Sequence, residues 1–169
     1  MVSATREKAD YGSGMLRKIS ELERRSGIIL ETPQKILLAE TGTVEQLLSI
    51  LVDADIKVRI VEQKENRGVI ARKSLITTES GRVLLEANSK IITRSLPPAV
   101  VKQIRDQRKG IGSIIKETGI ETSRRITDIG YDPKRMHLFR RYKIIHKKKT
   151  VIEIKEVFLS LARGGPGGI

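Results

Sequence analysis

The sequence predicts an α+β fold, a single domain built on an antiparallel β-sheet of five or six strands with helices packed on it. Two observations carry this expectation. Stretches of period-two apolar alternation come in pairs joined by short turns, as in 68–78 and 82–93 across Glu79-Ser80-Gly81, the signature of hairpins in series. Amphipathic stretches of helical period lie before and between those pairs, so helices are available to cover one face of the sheet. A length of 169 residues suits one domain with a real core.

The elements follow in order. Residues 1–11 are polar and read as a frayed lead, 12–161 as the domain, and 162–169, with its Gly-Gly-Pro-Gly-Gly run, as a flexible tail. Met15, Leu16, Ile19 and Leu22 mark an amphipathic helix over 12–25, ended by Gly27. Residues 28–30 read as a short strand, and Thr32-Pro33 as a turn. Thr43 and Gln46 have capping-box spacing, and Val44, Leu47, Leu48, Leu51 and Val52 set a buried helix over 44–53. The Thr41-Gly42-Thr43 loop before it either caps the helix or offers free N–H groups to an anion. A strand over 56–62 leads through an Asn66-Arg67-Gly68 turn into the first hairpin, where Gly81 supplies the left-handed position. Pro97 and Pro98 start a helix over 95–107 with Val100, Val101 and Ile104 on its apolar stripe. Lys109-Gly110-Ile111-Gly112 interrupts it before a shorter helix over 113–117, and the two glycines let the backbone pass close to a neighbour. A strand over 121–129, a turn over 130–133, a strand over 137–146, a lysine-rich tip at 147–149 and a last strand over 150–160 complete the chain.

Charges interrupt the apolar faces of three strands. In the last strand Ile152, Ile154, Glu156 and Phe158 share a face, in the first hairpin arm Ile70, Arg72, Ser74 and Ile76 do, and Leu138, Arg140, Tyr142 and Ile144 form a third such row. A buried carboxylate must be paired, hydrogen-bonded or held neutral. Glu156 and Arg72 are therefore either a core salt bridge or the two ends of an anion pocket, in which Arg72 forks onto a ligand carboxylate and Glu156 addresses a hydroxyl or moves a proton. A one-residue shift of its strand would put Arg141 inward in place of Arg140.

Composition narrows the chemistry. There is no cysteine and there are two separated histidines, so thiolate and His-built metal sites are not expected. No apolar run reaches the roughly 20 residues of a membrane helix, and the N-terminus lacks a signal-peptide core, so the expectation is a cytoplasmic protein with no membrane partner. The net charge of +13 is concentrated between Lys102 and Lys149, where 15 Lys and Arg face 5 Asp and Glu. Without a readable recognition helix or interleaved stacking aromatics, that charge gives little support for nucleic-acid recognition.

Five segments carry a resemblance: LLAETGTVEQLL at 37–48, IARKSL at 70–75, KGIGSIIKETGIETSRRI at 109–126, FRRYKII at 139–145 and IKEVFLS at 154–160. In this order they resemble the chorismate pyruvate-lyase family, in particular its divergent branch of small archaeal and bacterial homologues. The resemblance spans about 36–161 and implies an antiparallel sheet with an enclosed pocket. It also implies cofactor-free loss of pyruvate from chorismate to leave 4-hydroxybenzoate. It assigns Arg72 to the ring carboxylate and Glu156 to the hydroxyl at the other end of the ring, as the catalytic pair. It places Ile111, Gly112 and the Gly42 loop against the ligand. Asn88 falls where better-known members carry a second arginine, so Arg140, Arg124 or Arg125 would have to meet the second carboxylate of the substrate. The expected partner is thus a small aromatic or cyclohexadienyl carboxylate. A ligand-sensing module without turnover and a basic nucleic-acid-binding protein remain the alternatives.

Overall fold

Residues 11–159 are described in a computed structural model. Strands β1 (Ile56–Asn66), β2 (Val69–Thr78), β3 (Val83–Ile92), β4 (Ser123–Asp132), β5 (His137–His146) and β6 (Lys149–Phe158) form one antiparallel sheet in the order β1-β2-β3-β6-β5-β4. Helices α1 (Tyr11–Ser26), α2 (Thr32–Ala39) and α3 (Val44–Val52) precede the strands, and α4 (Pro98–Arg105) and α5 (Ile111–Thr118) connect β3 to β4. This is the α+β architecture expected, with six strands. Because the chain leaves the sheet after β3 and returns at the opposite edge, the second half runs inward and β6 closes against β3. The lead and tail expected outside the domain fall, Tyr11 apart, outside the described residues.

The boundaries differ from expectation where local signals compete. Thr32-Pro33 opens helix α2 and makes no turn: proline stands in its first turn, where a missing N–H costs nothing. The capping box belongs to Glu31 and Gln34, while Thr43 takes the N-cap position of α3 without a side-chain cap. Residues 28–30 form no strand, and β4 runs through Gly130 and Tyr131 to Asp132. Gly110 is the N-cap of α5, which therefore begins at Ile111.

The core lies on one face of the sheet. Ile70, Ile76, Leu85, Ile91, Ile144, Ile152 and Phe158 from the strands are buried together with Leu37, Leu38, Leu48, Val100, Ile104 and Ile114 from the helices. At about 1.5–3 kcal/mol for each fully buried aliphatic side chain, this face supplies the main drive for folding. The opposite face carries Lys73, Asn88, Lys155 and Arg141 in one cross-strand row.

Candidate active site

The register of the strands fixes where the inward charges lie. Ser74, Ala87, Glu156, Arg140 and Ile129 form one row across β2, β3, β6, β5 and β4, and Arg72, Ser89, Ile154 and Tyr142 form the adjacent row. Arg72, Arg140 and Glu156 are 3%, 1% and 3% exposed. Arg140 is thus the inward arginine, and Arg141 is exposed. Arg72 and Glu156 stand two strands and two residues apart, about 12 Å between their Cα atoms from the spacing of strands and residues. The side chains between them are the small Ser74, Ala87 and Ser89, together with Ile154.

Glu156 is paired, and its partner is Arg140. Arg140 Nε donates to Glu156 Oε2 at 2.6 Å, and the Tyr142 hydroxyl donates to Oε1 at 2.8 Å. The Arg140 guanidinium also lies 5.1 Å from the Tyr142 ring centroid. Burial, reinforced by the Glu156 charge, raises the Tyr142 phenol well above its ordinary value, so it stays a donor.

The inward arginines share a second task. Arg140 donates to the carbonyls of Leu37 and Glu40 at the end of α2, the first at 2.7 Å. Arg72 donates to Gln63 Oε1 at 2.7 Å, to the Lys109 carbonyl at 3.0 Å and to the Ile104 carbonyl in the last turn of α4. Arg124, at the start of β4, donates to the carbonyls of Thr41, at 3.0 Å, and Gly42. Carbonyls at helix ends lack intrahelical partners, and each guanidinium pins such an end or loop to the sheet. Desolvation pulls the Arg72 guanidinium down to about 10, which leaves it cationic at neutral pH.

A small cavity of about 40 Å³ opens beside Glu156. Its floor is Ser74, Ala87, Ser89 and Ile154, and its roof comes from Gly42, Thr43, Ile111 and Gly112. The fold therefore brings Glu156, Gly42, Ile111 and Gly112 to one space and leaves Arg72 and Arg140 behind its walls. Asn88 is not part of it: exposed on the other face, its amide donates to Glu86 Oε1 at 3.0 Å. Period-two alternation alone separates it from the inward Ala87 and Ser89.

Sequence reasoning missed Glu45. From the first turn of α3 its carboxyl reaches into the cavity against the backbone of Gly110 and Gly112. A Cβ on Gly112 would stand 2.8 Å from Glu45 Oε2, and one on Gly110 would collide with Oε1. The close neighbour that the two glycines allow is therefore a carboxyl group. Burial chiefly, and Glu156 next, raise the Glu45 carboxyl above its ordinary value, with Arg124 opposing. An acid in the first turn of a buried helix after a Thr-Gly-Thr loop was the available signal. Among the described residues no cluster of three or more His, Asp or Glu side chains could hold a metal ion.

No family model matches the chain. It is 26% identical over 167 aligned positions to a Methanocaldococcus jannaschii protein provisionally named as a lyase, covering 84% of this chain and 85% of that one. It is also 27% identical over 158 positions to a Mycobacterium leprae protein named chorismate pyruvate-lyase, covering 77% of this chain and 75% of that one. Across most of its length the chain is thus similar to two proteins named as lyases.

Proposed function

We propose that this protein is a lyase that eliminates pyruvate from chorismate, or from a close relative, to give 4-hydroxybenzoate. The observation that carries the reading is Glu156, a buried carboxylate lining a small cavity and oriented by both Arg140 and Tyr142. Similarity to a protein named chorismate pyruvate-lyase supports the choice of substrate.

In this reaction the ring carbon bearing the hydroxyl gives up its proton, and the C–H electron pair completes the aromatic ring. The bond from the adjacent ring carbon to the ether oxygen breaks, and the departing enolate of pyruvate takes up a proton. Aromatisation supplies much of the driving force, so positioning and charge complementarity are the protein's contribution. Glu156 faces the ring hydroxyl, and Arg72, now behind the wall of small residues, receives the ring carboxylate once its bonds to Gln63 and to the Ile104 and Lys109 carbonyls give way. A volume of 40 Å³ lies well below the roughly 300–1,000 Å³ of ligand pockets, so the roof over Gly42, Ile111 and Gly112 has to lift to admit a ring.

A second reading keeps the pocket without turnover. It is favoured by Arg72, whose three nitrogens already serve Gln63 and two carbonyls. Incubation with chorismate separates the two. Pyruvate in step with 4-hydroxybenzoate, lost in folded Glu156→Gln and Arg72→Ala, is the expected result. Binding of 4-hydroxybenzoate with no pyruvate released leaves the sensing module, and absence of both removes the pocket reading.

A further inference from the structure

Arg124, which lines the cavity beside Glu156, carries an unused donor. Arg124 Nε is buried and has no hydrogen-bond partner, although the other end of the same guanidinium is held by Thr41 and Gly42. An unpaired buried donor on a charged group is costly, so its persistence asks what it is for. Among the described residues lining the cavity Arg124 is the sole cation, facing two carboxyl groups, Glu45 and Glu156. Glu156 is already paired with Arg140.

Glu45 stands between two spaces. Its side chain lines the cavity, and it also lines a surface cleft that includes Arg108 and Lys109. Rotation about its side-chain bonds would carry the carboxyl over Gly110 and Gly112 toward the exposed Arg108, Lys109 being already paired with Glu117. That movement would vacate the space next to Arg124 and let an incoming anion restore the charge balance.

We propose that Arg124 is the second anion-binding group of the cavity, and that Glu45, which shares the cavity without bonding to Arg124, makes way for an anionic substituent of the ligand. The ligand class is a ring acid with two carboxylates, one for Arg72 and one for Arg124. This rests on the pocket reading above and extends it: Arg124 selects the dianion, and Glu45 sets how readily it is admitted. The outward swing of Glu45 also relieves its repulsion from Glu156.

The test is calorimetric binding of two unreactive probes, 4-hydroxybenzoate with one carboxylate and 3-(carboxymethoxy)-4-hydroxybenzoate with two. Wild-type protein binds the dicarboxylate more tightly. Arg124→Gln weakens the dicarboxylate by about tenfold or more, the scale of one lost hydrogen bond to a charged group, and the monocarboxylate far less. Arg124→Lys recovers part of the difference. Glu45→Ala removes the competing anion and tightens the dicarboxylate by about threefold or more. Since Arg124 also holds the roof, Glu45→Ala tests the idea without disturbing those bonds. Equal losses for both probes in Arg124→Gln, or weaker dicarboxylate binding in Glu45→Ala, overturn the proposal and leave the pocket standing. Wild-type protein that binds neither probe overturns both.

Discussion

Glu156 Oε2 lies 2.6 Å from Arg140 Nε, and the two residues face each other directly across β6 and β5. Both are almost wholly buried, and Arg140 Nη1 donates to the carbonyls of Leu37 and Glu40 at the end of α2. The pair therefore joins the sheet to the helical layer and fixes the carboxylate at the cavity. Removing one partner strands the other charge in the interior. Arg140→Ala is expected to lower unfolding free energy by about 3–5 kcal/mol in urea titration. The double variant Arg140→Met, Glu156→Leu should lose less than Arg140→Ala. A larger loss in the double variant would show that the carbonyl contacts, and not the pair, dominate.

Gly110 and Gly112 give way to Glu45. Gly110→Ala is expected to cost about 1–3 kcal/mol, the usual range for overpacking, since its methyl meets Glu45 Oε1 and lies 3.3 Å from Val58 Cγ2. In a Glu45→Ala background the cost should shrink, because the nearer obstacle is gone. A double-mutant cycle in urea measures this coupling, and additivity within error would contradict the contact.

The pH dependence of Glu45 has a definite sign. Its folded value lies above the ordinary 4.5, so the folded state holds the proton more tightly than the unfolded chain. Its contribution to stability is complete below about 4.5 and is lost as pH rises through the higher folded value. Glu45→Gln cannot ionise. Relative to wild type, it should therefore become progressively more stable across that rise, as read by denaturant midpoints at several pH values. A difference that stays flat with pH counts against the buried placement.

Tyr142 should ionise late. Its phenol is raised well above 10 by burial and by Glu156, so an ultraviolet titration should keep one of the three tyrosines protonated beyond the ordinary phenol range. Tyr142→Phe should remove that component. It should also cost about 1.5–3 kcal/mol, the range for a hydrogen bond to a charged group. Loss of the late component in wild type at ordinary phenol pH would mean that the hydroxyl is exposed.

The sequence by itself determined which side chains face the core. Period-two alternation is local, so it set Arg72 and Glu156 on the buried side of their strands without knowledge of what lay opposite, and left Arg140 or Arg141 for the strand register to decide. Helical period likewise revealed the stripes of α1, α3 and α4, while proline at 33 and the acid–amide pair at 31 and 34 carried a helix start that the turn reading missed. Only the tertiary structure decided who meets whom. Strand order is a long-range property, and placing β6 between β3 and β5 gives Glu156 to Arg140 and leaves Arg72 two strands away, among the carbonyls of Ile104 and Lys109. Glu45 approaches Gly110 and Gly112 from a helix more than sixty residues earlier in the chain, a contact no local pattern encodes. Pairing across a sheet and closure of a roof depend on the packing of distant segments, whereas facing inward depends only on each strand's own pleat.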